Sequence, residues 1–270
     1  RHLYFLDDHL LGNRRFAEAL FEGMRGMGRL FQGAATVDSV LRGDLIERAA
    51  EAGLRSLFVG FETFSAGNLH ASNKKQNLAR DYAAVTRRLN DLGIMINGSF
   101  VFGMDEDDED VFDRTVSWAA AHGVTTATFH IMTPYPGTRL YERMEREGRI
   151  TSRDWDRYDT RQVVFRPAKL TPAALKRGYD RAYRDFYSWS NIARAAGTHA
   201  SAKHKLKHFA YAAGWKKFEP LWDLVIKARR LPIMTPVLEG VLSRVSRGKE
   251  PGGETSPQAP AVTAAQASSA

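Results

Sequence analysis

The chain has 270 residues, 43% hydrophobic and 11% aromatic, with a formal net charge of +8 and no cysteine. That is the composition of an ordinary globular protein with room for one large domain or two small ones. The lack of cysteine excludes disulfides, a thiol nucleophile, a thiolate zinc site and any iron–sulfur cluster ligated by this chain. No signal-peptide pattern is visible at the start, and no apolar run approaches the roughly 18 residues of a membrane-spanning helix.

In chain order, one pattern repeats: an amphipathic helix ends at glycine and a short apolar run follows. HLYFL (2–6) reads as a buried strand with Asp7 and Asp8 at its far end. FAEALFEGMRGMG places Phe16, Leu20, Met24 and Met27 on one face and ends at Gly28. The helix DLIERAAEAG, with Asp44 and Glu47 as an N-cap pair, ends at Gly53 before LRSLFVGFE. NLARDYAAVTRRLNDLG carries a stripe from Leu78 to Leu92 and ends at Gly93; DVFDRTVSWAAAHG ends at Gly123. Spacings of three and four mark helix faces, and the closing glycines suit left-handed C-caps. Strands are expected at 2–6, 30–36, 56–61, 95–102 and 125–132. Their near-continuous apolar character is that of parallel strands covered by helices. Repeated strand–helix–strand units imply an α/β fold, either a (β/α) barrel or an open doubly wound sheet. No glycine-rich phosphate loop follows the first strand, which points to a barrel or part of one.

Beyond the fifth strand, TRLYERMEREGRI reads as a short helix stopped by Gly148. DWDRYDTRQVVFRP reads as irregular, with Trp155, Tyr158 and Phe165 as anchors. LTPAALKRGYDRAYRDFYSWSNIARAA reads as one long helix with Thr171 as N-cap and Pro172 in the first turn. Residues 203–230 and 235–246 read as helical, and 248–270 as a disordered tail rich in Pro, Gly, Ser, Ala and Thr. The expected organisation is therefore a partial barrel over 1–150, a packing segment over 151–200, a basic helical extension over 201–247 and the tail.

In a parallel α/β fold the C-terminal ends of the strands share one rim, which holds the active site. Each strand here delivers polar residues to it: Asp7 and Asp8; Gln32 and Asp38; Glu62 and Thr63; Gly103 and Asp105; then Thr133, Tyr135 and Gly137. The aspartates of LDDH either bind a ligand or cap the next helix. Glu62 either meets a ligand or pairs with a neighbouring cation. The acidic run 105–110 suits a helix start. Phe100, Phe102 and Phe129 either wall a cavity or fill the core. His130 is expected as a satisfied core or rim residue. His204 and His208 are four apart on a helix whose lysines would repel a metal, so a solvated basic face is expected. Residues 201–230 carry a net +6 interleaved with aromatics. That mixture fits a helix packed on the barrel, an anionic partner or a membrane surface; nucleic acid is not expected.

Taken together, HLYFLDDHLLGNRR, GLRSLFVGFET, GIMINGSFVFGMDEDDEDVF, TPYPGTRLYERMEREGRI and DWDRYDTRQVVFRP resemble the C-terminal part of radical SAM enzymes that carry an N-terminal cobalamin-binding domain. That group includes hopanoid methylases and the anaerobic cyclase of chlorophyll synthesis. The resemblance runs from residue 2 to about residue 192. It implies a partial TIM-like barrel entered at its second strand, followed by a helical extension. The cofactors implied are S-adenosylmethionine, a [4Fe–4S] cluster whose CxxxCxxC ligands lie outside this chain, and cobalamin. It implies a methyltransferase acting with an electron donor on a hydrophobic small molecule or lipid; a cytoplasmic location is expected, with 203–230, outside the resemblance, as the surface for any peripheral membrane contact. It also implies that the sequence is a fragment or a shortened gene model, inactive by itself. The cofactor-binding positions it implies are Asp7, Asp8, Gln32, Glu62, Ser99, Gly103, Thr133, Tyr135 and Gly137. A barrel hydrolase with a divalent metal on Asp7, Asp8, Glu62 and Asp105, and a non-enzymatic module built on the basic helix, are the alternatives.

Overall fold

The computed structural model describes residues 2–64 and 79–227. A compact unit spans Arg1–Trp222; of the remainder, Asp223–Ala270, only the end of a helix is described. Five strands form one parallel sheet in sequential order: β1 (His2–Tyr4), β2 (Leu30–Thr36), β3 (Leu54–Glu62), β4 (Met95–Phe102) and β5 (Thr126–Ile131). Sequential order with same-handed crossovers curls the sheet, so the fold is a half-barrel with helices on its convex face. The helices are α1 (Arg14–Met24), α2 (Val37–Leu41), α3 (Leu45–Ala52), α4 (Ala79–Asp91), α5 (Val111–Ala121), α6 (Arg139–Arg146), α7 (Pro172–Phe186), α8 (Trp189–Gly197) and α9 (Ala202–Lys227).

Strand residues alternate between the two faces. Phe31, Leu57, Val59, Phe61, Ile96, Phe100, Phe102, Phe129 and Ile131 point to the helices and are fully buried or nearly so. Rings carry this layer from end to end: Phe21 of α1 stacks on Phe31 at 5.9 Å, Phe61 on Phe100 at 5.5 Å and Phe102 on Phe129 at 5.5 Å. Phe100, Phe102 and Phe129 are therefore core. The intervening residues, among them Gln32, Phe58, Glu62, Asn97, Ser99, Thr128 and His130, face the concave side.

The far edge of β5 would expose unpaired backbone groups. Two tyrosines of the α7 region cover it. The Tyr183 hydroxyl accepts from Phe129 N–H and donates to its carbonyl, and Tyr187 does the same for Ala127, all at 3.1–3.2 Å.

Several local expectations need correction. The first helix ends at Met24, and Gly26 (φ 81°) makes the turn before Gly28. Asp44 stands at the N-cap of α3 without a side-chain cap bond, because Arg14 and Arg48 occupy its carboxylate; Glu47 pairs with Arg88. The long helix from 171 is two, since Ser188 caps a new start by accepting from Asn191 N–H. Thr171 and Pro172 start α7 as expected. Leu78, residues 235–246 and the tail lie outside the described residues.

Candidate functional site

A cavity of about 510 Å³ opens where β1, β2 and β3 end. Asp8 and His9 come from the turn after β1, Thr36, Asp38 and Ser39 from the end of β2 and the start of α2, and Gly60 and Glu62 from β3, with Arg14 and Arg42 at the rim. Thr36 Oγ1 and His9 Nε2 are 3.3 Å apart. The Thr36 hydroxyl accepts from Ser39 N–H, while the Ser39 hydroxyl donates to the Thr36 carbonyl at 2.8 Å. This seats Thr36 at the turn from strand to helix. Asp38 is held by Arg42. Asp8 is exposed and has no ion-pair or hydrogen-bond partner among the described residues.

Glu62 occupies an unusual backbone position. In the β3–β4 ladder Gly60 pairs with Ser99 and Glu62 with Phe100, so Phe61 is bulged out toward the core. Thr63 N–H donates to the Phe61 carbonyl at 2.9 Å, closing a three-residue turn around Glu62, whose φ is +66°. This γ-turn hand is rare and strained, and such strain persists where the surroundings enforce it. Tyr82 of α4 enforces it here, donating to the Phe61 carbonyl and lying 3.1 Å from the Thr63 carbonyl. A Cβ on Gly60 would come within 2.8 Å of Glu62 Oε1, so the carboxylate folds back over a residue that leaves it room. Across the concave face, His130 Nδ1 is 3.1 Å from Thr160 Oγ1. Thr160 is the other described non-glycine residue at positive φ (+62°). Burial lowers the His130 pKa, and the Glu62 charge opposes that shift.

Sequence reasoning placed Asp8 and Glu62 at the rim, and both line this cavity. Ser99 is buried on β4 beside Gly60, one step below the mouth. Gln32 lies lower on the concave side, lining two further hollows and not this one. Asp7 is exposed in the turn and outside the cavity lining. Gly103 lies outside this lining; its N–H donates to Asp107 at 2.8 Å, and a Cβ there would meet Leu175 and Phe165. Thr133, Tyr135 and Gly137 also lie outside the lining. The Thr133 hydroxyl turns back to the Ile131 carbonyl at 2.9 Å, and Tyr135 is exposed beside Tyr158. The metal-site alternative fails on geometry: Asp105 bridges Arg149 at 2.7 Å and Arg143 at 3.1 Å, and no described trio of His, Asp or Glu could hold a metal ion. Periodicity alone could not find His9, Thr36 and Phe58. His9 followed the aspartates after the first strand, Thr36 closed the expected strand 30–36, and Phe58 read as one more apolar strand position.

The fold and site define an α/β half-barrel with a polar mouth, the fold of radical S-adenosylmethionine enzymes. The cobalamin-dependent S-adenosylmethionine radical enzyme OxsB, solved with aqua-cobalamin and S-adenosylmethionine bound, shares it at a TM-score of 0.52 with 14% identity, over 91% of this chain and 42% of that one. In sequence the chain is 30% identical over 188 residues to bacteriochlorophyllide d C-12(1)-methyltransferase of Chlorobaculum tepidum, covering 70% of this chain and 41% of that protein. It is 28% identical over 158 residues to the hopanoid C-2 methylase of Rhodopseudomonas palustris, covering 56% and 30%. A family model described as a domain of unknown function, DUF4070, matches residues 138–230. The chain thus resembles the C-terminal region of cobalamin-type radical methyltransferases and spans less than half the length of these relatives.

The donor set fits S-adenosylmethionine. The cavity falls in the range of small-molecule sites, roughly 300–1,000 Å³. It offers carboxylates, guanidinium groups and hydroxyls together, as a zwitterion with ribose hydroxyls requires. A [4Fe–4S] cluster finds no thiolate in this chain. Among the described residues no helix is long and apolar enough to cross a membrane.

Proposed function

We propose that the chain is the S-adenosylmethionine- and substrate-binding portion of a radical enzyme that methylates, with cobalamin, an unactivated carbon of a hydrophobic small molecule. The observation that carries this reading is the meeting of Asp8, Thr36 and Glu62, from three strand ends, around one cavity, with Glu62 in a strained turn. Bound beside a reduced cluster, S-adenosylmethionine supplies one-electron chemistry that the protein's own side chains lack. The residues of this chain bind and orient. Asp8 and Glu62 would accept hydrogen bonds from the ammonium and ribose hydroxyls, and Arg14 and Arg42 balance the charge at the rim. Ala34, Ala35, Phe58 and Gly60 line the inner side of the cavity and keep water away from the reacting carbon. The electron donor and the cluster act from outside this chain.

Calorimetric titration of the 270-residue chain with S-adenosylhomocysteine tests the reading. Glu62→Gln should weaken binding by about tenfold, the scale of a charged hydrogen bond, while Asp105→Asn should leave affinity within about twofold. Equal weakening by both, or no binding to the wild type, contradicts it.

A further inference from the structure

Below the mouth, the concave side holds two more hollows. An open groove of about 590 Å³ lies at the N-terminal ends of β1–β4, and a cavity of about 280 Å³ lies deeper. Tyr4, Gln32 and Tyr211 line both, and Phe58 separates the deeper cavity from the mouth, lining each. The three spaces thus follow one another along the inner face.

The groove is chemically lopsided. Arg55 of β3 and Lys203 and Lys207 of α9 line it. None of the three has a carboxylate partner among the described residues. Arg55 uses Nη1 on the carbonyls of Ala50 and Leu54, at 2.6 and 2.7 Å, and these bonds fix its guanidinium at the groove. Burial, then Arg55 and Lys203, lower the Lys207 pKa, so the positive charges that line this groove act on one another. An anion placed there would relieve their repulsion. The remaining walls are mixed: Leu3, Leu30, Phe31, Met95 and Tyr211 stand beside His2, Gln32 and Ser56, and lead inward to Trp215 and Phe58. At the inner end the Thr128 hydroxyl is shut from solvent without a hydrogen-bond partner. Such a group calls for an explanation, and a ligand polar atom supplies one.

We infer that this groove binds a monomeric amphipathic anion, its phosphate or carboxylate on Arg55, Lys203 and Lys207 and its apolar body directed along the concave face toward Phe58. As the substrate of the same barrel, this molecule would present its far end to the mouth from below. That role rests on the radical reading above, whereas the binding does not.

The test is titration of the full chain with octyl phosphate and with octanol. Octyl phosphate should bind saturably at one site, about tenfold or more tighter than octanol, as charged hydrogen bonds imply. Lys203→Gln with Lys207→Gln should weaken octyl phosphate by about tenfold, and Lys205→Gln with Lys217→Gln, an equal charge change on the same helix, by less than about twofold. S-adenosylhomocysteine titrated into every variant should bind alike, which keeps failure of the groove distinct from failure of the mouth. Equal affinity for the alcohol and the phosphate, equal loss in both double variants, or binding only to phosphatidylglycerol vesicles would each overturn the assignment.

Discussion

Glu62 occupies a backbone position that costs stability. Its φ of +66° is one that glycine adopts freely and other residues adopt at a cost. Glu62→Gly should therefore raise the unfolding free energy by about 1 kcal/mol, the relief of such strain less the greater freedom of glycine in the unfolded chain, while S-adenosylhomocysteine affinity falls. Chemical denaturation and calorimetry on the same sample check both halves; a glycine variant that is less stable would show that the carboxylate serves the fold instead. His208 makes the opposite kind of prediction. It is 3% exposed, accepts or donates to His199 at 2.9 Å, and has its other ring nitrogen buried without a partner. The expected solvated basic face does not extend to it. Burial and then His199 push its pKa down to about 4. The unfolded chain takes up a proton near pH 6.5 and the folded one does not. Stability is thus fully present above pH 6.5 and falls as pH drops toward 4, by about 3 kcal/mol at the limit. His130 and His199 are shifted in the same direction. His208→Gln should flatten this acid limb in part, measured as unfolding free energy against pH; an unchanged limb would remove His208 from the account.

Among the elements, α7 is the one that finishes the sheet. Its tyrosines close the β5 edge, and its Gly178 lets the helix settle on α5, where a Cβ would come within 2.2 Å of the Phe112 ring. Gly178→Ala should cost about 1–3 kcal/mol through overpacking despite the better helix propensity of alanine. Tyr187→Phe should cost about 1–3 kcal/mol by stranding the Ala127 N–H and carbonyl. Urea denaturation would measure both, and a neutral Tyr187→Phe would mean that water replaces the hydroxyl. The central strands were legible before the structure because a parallel strand covered by helices is apolar nearly throughout; β2 and β4 match the expected ranges residue for residue, whereas β1, expected as a buried strand over 2–6, is the exposed edge strand His2–Tyr4. The break between α7 and α8 was not legible. Apolar periodicity runs through Tyr187 and Trp189, and only the Ser188 cap bond ends one helix and starts the next. The same limit applied to the site. A carboxylate at a strand end, such as Glu62 or Asp8, announces itself. The inward turn of Gly103 toward α7, and of the Thr133 hydroxyl toward β5, depends on tertiary neighbours that no local pattern encodes.

At the scale of the molecule, a half-barrel leaves its concave face uncovered, and α9 takes part in filling it. Tyr211 and Trp215 reach the inner cavity, Leu206 and Phe209 remain exposed, and the +6 of residues 201–230 is concentrated on this segment. Tyr211 and Trp215 of that stretch thus line the barrel's inner cavity, and Lys203 and Lys207 line the groove. The strand order puts polar residues at one end of the sheet and cations at the other, with a cavity lined by aromatic and hydroxyl or amide side chains between. A small cofactor above and an amphipathic molecule below would meet near Phe58. The most direct test is to titrate S-adenosylmethionine into isotope-labelled chain and follow the backbone amide resonances. The account predicts that the largest shifts fall on Asp8, Thr36, Gly60 and Glu62 while those of Gly103 and Gly137 stay still. Shifts confined to the 133–137 loop, or spread with no centre at the ends of β1–β3, would contradict it.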